Sequence, residues 1–306
     1  MKGVKMPKDF LAITDFTKEE ITEVFDLAKD LKGRNIDPKP LQGKTVACIF
    51  HKPSLRTRIS FETGVGELGG KSLYITEKEI ELGKRESIHD AAKVMSRYVG
   101  MIVIRTFSHQ DVEKLAQHAD VPVINALTDL LHPCQVMGDM FSIVEKKGKI
   151  EGLTISYLGD GNNVCNSWLN ATTRFSFNLK IGTSKKTEPD HEILEKARKA
   201  GLSKINLTYD PKEAVKDADV VYTDVWASMG QKDLAQQRAK LLKGFQVNRK
   251  LLSLAKRDCL VMHCLPANRG EEITDEVMDG PNSIVFDQAE NRLHIQKAIM
   301  VKLLSG

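Results

Sequence analysis

The segment Thr45–Arg58 reads TVACIFHKPSLRTR, and its two halves differ in character. The first half, Thr45–Phe50, is a short apolar run without charges, typical of a strand that is buried on both faces. The second half is polar and leads into a pattern typical of a helix. A buried strand that passes through a polar turn into a helix is the unit of a parallel sheet covered by helices. The segment therefore predicts an α/β fold.

The same alternation of strand and helix continues along the whole chain and falls into two series. It predicts two doubly wound parallel-sheet domains. The first comprises residues 1–148 together with a C-terminal helix, residues 288–306, and the second comprises residues 149–287. A further strand is expected at Ser283–Phe286, immediately before that helix.

The composition excludes several classes of protein. With 306 residues, of which 41% are hydrophobic and 28% charged, the chain can bury a sizeable core. Its formal charge of +4 is too small to indicate a nucleic-acid partner. No apolar run approaches the roughly 20 residues of a membrane span, so no membrane partner is expected. The start of the chain lacks a secretory signal, and the five cysteines have no paired spacing, so a cytoplasmic protein without disulfides is expected.

Ligands of such folds bind outside the carboxyl ends of the strands, so the loops after the strands are expected to carry the chemistry. In Ser54–Arg58, two hydroxyls and two guanidinium groups meet the start of a helix, which favours an anion. Arg105 ends another predicted strand, at the same edge of the sheet. The alternative is an ordinary capped helix with a solvated basic face.

Four further loops carry reactive or polar side chains. They are His132–Gln135, Gly159–Val164, Asp224–Gly230 and His263–Ala267. The second resembles a dinucleotide fingerprint, but Val164 stands where glycine is needed, which argues against NAD. Asp224 could hold an ammonium group or belong to an ordinary turn. Cys264 could be a nucleophile or a buried thiol, because adjacency to His263 does not by itself make a dyad.

These motifs, in this order, resemble the carbamoyltransferase family and most closely its ornithine branch. The shared motifs are Ser-x-Arg-Thr-Arg at Ser54–Arg58, His-Pro-Cys-Gln at His132–Gln135, Asp-x-x-x-Ser-Met-Gly at Asp224–Gly230 and His-Cys-Leu-Pro at His263–Pro266. The likeness covers nearly the whole chain. It implies transfer of the carbamoyl group of carbamoyl phosphate to the side-chain amine of L-ornithine, in a cleft between the two domains.

The resemblance also implies the residues of the site. Those for carbamoyl phosphate are Ser54, Leu55, Arg56, Thr57, Glu81, Arg105, His132, Pro133, Cys134, Gln135, Cys264, Leu265 and Arg292. Those for ornithine are Asn163, Asp224, Ser228 and Met229. The residues expected to act in catalysis are Arg105, His132, Gln135, Asp224 and Cys264.

The family implies a homotrimer in which a loop of the neighbouring subunit completes each site, with no metal and no organic cofactor. Two positions depart from its pattern: Leu55 replaces threonine, and Glu81 replaces glutamine or histidine. Three alternatives stay open. The amine could be N-acetylornithine, N-succinylornithine or putrescine; the acceptor could be aspartate, which would need cations in the second domain; or the chain could be a non-catalytic sensor of anions or amino acids.

Overall fold

The structure, a computed structural model, describes residues 9–227 and 232–305. The chain forms two compact units: Met1–Gly138 with Asn291–Gly306 is unit 1, and Asp139–Glu290 is unit 2. Within the described ranges, no helix is long and apolar enough to cross a membrane.

Unit 1 is built from parallel strands that alternate with helices. Its elements are α1 (Lys18–Lys32), β1 (Thr45–Phe50), α2 (Leu55–Glu67), β2 (Lys71–Thr76), α3 (Ile88–Tyr98), β3 (Met101–Arg105), α4 (His109–His118), β4 (Val123–Leu127), the start of α5 (Pro133–Lys147) and most of α12 (Val285–Ser305). The four strands are parallel in the order β2-β1-β3-β4. Because β2 and β3 flank β1 on opposite sides, the strand order reverses between β1 and β3. Ligands bind at such a switch point, where the loops after β1 and β3 diverge.

Unit 2 repeats this plan with five strands. Its elements are the rest of α5, β5 (Thr154–Leu158), α6 (Asn163–Ala171), β6 (Asn178–Gly182), α7 (His191–Ala200), β7 (Lys204–Thr208), α8 (Pro211–Val215), β8 (Val220–Thr223), α9 (Lys232–Leu242), α10 (Arg249–Leu252), β9 (Leu260–His263), α11 (Asp275–Met278) and the start of α12. The strands are parallel in the order β7-β6-β5-β8-β9. Here the order reverses between β5 and β8, so the loops after these two strands frame the second switch point.

Local sequence explains where many of these helices begin. Ser54, Ser87 and Ser108 each precede a helix of unit 1, and each side chain accepts an N–H of the first turn. Asn162 and Asp190 do the same in unit 2. Short polar side chains satisfy amide groups that the helix itself leaves without a partner. The same caps fix the loops that leave the carboxyl ends of β1 and β5.

The strand predicted at Ser283–Phe286 is wrong. Ser283 makes only an isolated bridge to Val261, and α12 already begins at Val285. A run of four residues is too short for periodicity to distinguish a strand from the first turn of a helix. The division between the two units falls inside α5, after Gly138, and inside α12, after Glu290.

Candidate active site

In unit 1, the loops after β1 and β3 and the helix α12 bring a hydroxyl and two guanidinium groups together. Thr57 Oγ1 accepts hydrogen bonds from Arg292 Nη2 at 2.8 Å and from the Ser54 hydroxyl at 3.0 Å. Arg105 Nη1 lies 3.5 Å from the same oxygen, and its Nε donates to the Lys52 carbonyl at 3.2 Å. We call Ser54, Thr57, Arg105 and Arg292 the Thr57 cluster.

The Thr57 cluster holds two positive charges, and burial strengthens their electrostatic effect. Thr57 is fully buried, and Arg105 and Arg292 are 8% and 3% exposed. Guanidinium groups stay charged in proteins, and their attraction for an anion grows where water is excluded. The amino end of α2 adds free N–H groups and a helix dipole at the same place. The cluster can therefore bind a doubly charged oxyanion such as phosphate.

Leu55 and Arg56 form the first turn of α2, next to the Ser54 cap. The Leu55 side chain is 69% exposed, whereas Arg56 is half-buried. Leu55 can thus contribute a backbone N–H while its side chain points outward. The departure from threonine at this position consequently leaves the backbone donors of the turn in place.

His132 immediately precedes α5, and Gln135 lies in its first turn. Both side chains are buried. Burial lowers the pKa of His132 well below its usual value of 6.5, and the charges of Arg292 and Arg105 lower it further. The imidazole is therefore neutral at physiological pH. A neutral imidazole can donate one hydrogen bond to a carbonyl oxygen without competing for the anion.

Pro133 and Cys134 complete the turn between His132 and Gln135. Pro133 begins α5, where its missing N–H costs no hydrogen bond. The Cys134 thiol is buried and donates to the Asn125 carbonyl at 3.4 Å. Burial raises its pKa to about 12, so this thiol is an inert core group.

Thr57→Val is expected to weaken both the fold and the anion site, because valine matches the shape but removes the acceptor of the Arg292 bond. We expect the free energy of unfolding to fall by about 1–3 kcal/mol in urea titrations. Affinity for inorganic phosphate should fall about tenfold by calorimetry. Ser60→Ala is the matched control: it removes a hydroxyl of the same helix, and among the described residues this hydroxyl bonds only to the Thr57 carbonyl. Unchanged phosphate affinity in Thr57→Val would contradict this role of the hydroxyl.

In unit 2, a hydrogen-bonded network surrounds the carboxylate of Asp224, which follows β8. Asp224 Oδ1 accepts from the Val225 N–H at 2.8 Å and from the Cys264 thiol at 2.7 Å. Asp224 Oδ2 accepts from Asn162 Nδ2 at 2.6 Å. Asn162 Oδ1 in turn accepts from the hydroxyl of Tyr157, which is fully buried. We call Tyr157, Asn162, Asp224 and Cys264 the Asp224 network.

The Asp224 network is suited to a cation, because it presents a buried carboxylate whose orientation is fixed by three donors. A second carboxylate, that of Asp160, lies in the loop after β5 and pairs with Arg238 of α9. Burial raises the pKa of Asp160 to about 7, the charge of Asp224 raises it too, and Arg238 opposes both. Of the two carboxylates, Asp160 is paired with Arg238, whereas Asp224 has no ion-pair partner among the described residues.

The sequence assigned Asn163 and Asp224 to ornithine and indicated the Asn162–Asn163 pair as polar groups for an amino acid. It gave no role to Tyr157, Asp160 or Arg238 and did not predict that Asn162 contacts Asp224. Asn163 is the first residue of α6 and is half-buried, whereas Asn162 caps that helix and contacts Asp224. The capping position of an asparagine before a helix is the signal that could have identified Asn162. Ser228 and Met229 lie outside the described residues.

Glu81 lies in unit 1, outside the Thr57 cluster. It lies in the loop after β2 with an exposed side chain, and within the described chain its carboxylate makes no hydrogen bond or ion pair. Its backbone carbonyl accepts from Lys84 and Arg85, and the neighbouring Leu82 is buried. The loop is therefore anchored, while the Glu81 side chain projects outward.

Asp224, His263 and Cys264 also bring three potential metal ligands within 4.8 Å of one another. Both ring nitrogens of His263 are nevertheless engaged, Nδ1 by the Leu265 N–H and Nε2 by Glu272. A metal would have to break one of these bonds, so the arrangement is better suited to holding the loop than to binding an ion.

Comparison with known proteins gives consistent relatives for both units. The carbamoyl-P binding domain model of the aspartate/ornithine carbamoyltransferases matches residues 8–145, and their Asp/Orn binding domain model matches residues 151–303. The ornithine carbamoyltransferase of Syntrophus aciditrophicus is 51% identical over 302 residues, 98% of this chain and 100% of its own. The chloroplastic enzyme of Pisum sativum is also 51% identical, over 97% of this chain and 80% of its own. The solved structure of ornithine carbamoyltransferase from Pyrococcus furiosus is similar, with a TM-score of 0.93 and 47% identity, and the match covers 98% of each chain.

Proposed function

Because the chain belongs to the aspartate/ornithine carbamoyltransferase family, we propose that it transfers the carbamoyl group of carbamoyl phosphate to the side-chain amine of L-ornithine. The products are L-citrulline and phosphate. In the reaction, the amine nitrogen forms a bond to the carbamoyl carbon, the bond from that carbon to the phosphate oxygen breaks, and the nitrogen loses a proton. Arginine metabolism is the setting that this reaction implies.

The observation that carries the proposal is the convergence of Arg105 and Arg292 on Thr57 Oγ1, with neutral His132 beside them. Carbamoyl phosphate ends in a phosphate that leaves as a dianion and has a carbonyl that develops negative charge under attack. The guanidinium groups stabilise the leaving phosphate, and His132 with Gln135 can polarise the carbonyl. Holding both ends of one small molecule also lowers the entropic cost of reaction.

The Asp224 network supplies the complementary groups for the amine. The Asp224 carboxylate can attract the side-chain ammonium of ornithine and orient the amine once it has lost a proton. The Cys264 thiol donates to Asp224, so we assign it to the amine and not to nucleophilic attack on the carbamoyl group. Direct attack by the amine needs no covalent enzyme intermediate.

The first test is citrulline formation from carbamoyl phosphate and L-ornithine, measured beside N-acetylornithine, N-succinylornithine, putrescine and aspartate. We expect turnover with ornithine to exceed that with each other amine. Turnover with a rival amine alone would keep the phosphate site but overturn the assignment of the Asp224 network to ornithine. Phosphate binding without any turnover would favour a sensor.

The rate is expected to rise with pH. A lysine-like amine titrates near ~10, so the attacking neutral form increases nearly tenfold for each pH unit below that value. His132 should add no inflection near 6.5, because burial keeps its pKa well below that value and the imidazole stays neutral. The measurement is kcat/KM for ornithine between pH 6 and 9. A flat profile would contradict the requirement for a neutral amine.

We propose that the active form is a homotrimer. Unit 1 exposes several large apolar side chains that a subunit interface would cover. Among them, Leu55, Leu73 and Tyr98 are 69%, 52% and 78% exposed, and Leu73 belongs to β2, the edge strand of its sheet. The cytoplasmic location is likewise a proposal, supported by five cysteines that are all free thiols.

Glu81→Gln is expected to tighten the binding of carbamoyl phosphate. In a trimer, the exposed Glu81 carboxylate would approach the phosphate of a neighbouring subunit and repel it. Relief of one screened like-charge contact corresponds to a fall of about fivefold in KM for carbamoyl phosphate. Glu86→Gln, in the same loop, is the control with unchanged KM, and light scattering checks that assembly is intact. Weaker binding in Glu81→Gln would show that this carboxylate does not repel the substrate.

A further inference from the structure

His263 and Glu272 form a fully buried pair at the carboxyl end of β9, beside the Asp224 network. Both side chains are 0% exposed, and His263 Nε2 lies 3.0 Å from Glu272 Oε1. The same oxygen accepts the Asn268 N–H at 2.6 Å. Because Nδ1, the other ring nitrogen, accepts a backbone N–H, the ring proton is on Nε2 and is donated to Glu272 Oε1.

The other ring nitrogen of His263 is also occupied. His263 Nδ1 accepts the Leu265 N–H at 2.8 Å. With Nε2 donating and Nδ1 accepting, the ring is held in one tautomer and has no free lone pair. The Cys264 thiol, although adjacent in sequence, donates to Asp224 Oδ1 instead. The geometry is therefore not that of a Cys–His pair in which the ring removes the thiol proton.

The N–H that donates to Nδ1 belongs to a residue whose backbone conformation is unfavourable. Leu265 has φ of 57°, in the left-handed region that residues with a side chain adopt only at a cost. The main chain of His263 is held as well, because its N–H donates to Gln288 Oε1 at 3.0 Å and Gln288 Nε2 donates to Asp139 Oδ1 at 2.7 Å. The backbone on either side of Cys264 is thus fixed by buried side chains.

We propose that His263 and Glu272 are positioning residues that hold the Cys264–Leu265 backbone in its left-handed turn, and that His263 does not act as a base. The pair orients two groups of the proposed site, the Cys264 thiol and the Leu265 carbonyl. The inference rests on the proposed function for its kinetic consequences, but the hydrogen bonds that define it are independent of the substrate.

Three variants separate the two contacts of the ring. His263→Leu removes both, and we expect kcat to fall about 100-fold while KM for each substrate stays within about threefold. His263→Asn keeps a side-chain oxygen that can accept the Leu265 N–H, as in an Asx-turn. Its kcat should therefore be about tenfold higher than that of His263→Leu. Glu272→Gln keeps an acceptor for Nε2, so its kcat should fall less than tenfold. Equal loss in His263→Leu and His263→Asn, or wild-type kcat in both, would overturn the positioning role.

Thr274→Val is the matched control, since the buried Thr274 hydroxyl lies two residues after Glu272 and, although Thr274 is at the N-cap position of α11, makes no capping hydrogen bond. Its kcat should match that of the wild type. Circular dichroism of each variant distinguishes local repositioning from loss of the fold. If His263→Leu does not fold, the other two variants still test the proposal. His263→Asn keeps only the contact with the Leu265 N–H, whereas Glu272→Gln keeps both contacts of the ring, so kcat should fall further in His263→Asn. A smaller loss in His263→Asn than in Glu272→Gln would overturn the positioning role.

Alkylation of Cys264 tests the proposal without any turnover. The other four cysteines are buried and Cys264 is half-buried, so iodoacetamide should react with it selectively. We expect the pH dependence of the alkylation rate to be the same in the wild type and in His263→Asn. A shift of that profile to higher pH in the variant would reveal a Cys–His pair and overturn the proposal. Failure of the wild type to form citrulline would instead reject the proposed function and leave the alkylation result to decide the role of His263.

Discussion

Arg105→Gln is expected to lower kcat/KM for carbamoyl phosphate roughly 10³-fold, because it removes a buried cation from the place where the phosphate charge develops. Loss of a single donor that acts in the transition state commonly costs 10²–10³-fold, and here a full charge is lost as well. Steady-state kinetics at saturating ornithine provide the measurement. Affinity for inorganic phosphate should fall in parallel.

Two further arginine variants make this result specific. Arg105→Lys keeps the charge but loses the forked geometry of the guanidinium, so it should recover only part of the activity. Arg198→Gln is the matched control: Arg198 is an exposed arginine on α7 and pairs with the exposed Glu195. Its activity should stay within about threefold of the wild type. Wild-type activity in Arg105→Gln would remove the Thr57 cluster from the phosphate site.

Asp224→Asn is expected to lower kcat/KM for ornithine roughly 100-fold or more, with KM for carbamoyl phosphate nearly unchanged. The amide keeps the size of the carboxylate but loses the charge that attracts the ammonium group, and truncation of a buried charge pair commonly costs 2–5 kcal/mol. The amide nitrogen would also face the Asn162 amide or the Cys264 thiol, which are both donors to Asp224 in the wild type.

Asp258→Asn is the control for Asp224→Asn. Asp258 is exposed and pairs with Lys147 in the same unit, and such surface pairs contribute little. We expect its kcat/KM to equal that of the wild type. A comparable loss for ornithine and for carbamoyl phosphate in Asp224→Asn would indicate a general disturbance of unit 2 and would contradict the assignment of Asp224 to the amine.

Much of the fold followed from patterns within short segments. The run Thr45–Phe50 predicted β1, and Ser54 predicted the start of α2, because burial of a strand and capping of a helix depend on neighbours in sequence. The short run Ser283–Phe286 predicts a strand that does not form, because four residues are too few for their pattern to distinguish a strand from a helix. Ile284 and Val285 are buried, whereas Phe286 is exposed, and whether such a short run is extended or helical depends on what it packs against.

The sequence by itself determined the α/β class, the loops that carry the chemistry and, through shared motifs, the family. Only the tertiary structure decided which side chains meet. Arg292 lies 235 residues from Thr57 yet donates to its hydroxyl, and Asn162, not Asn163, reaches Asp224. The partner of His263 is Glu272, for which no local pattern gives a signal. Periodicity and capping are properties of adjacent residues, whereas these contacts arise from the order of the strands and the packing of the helices on them.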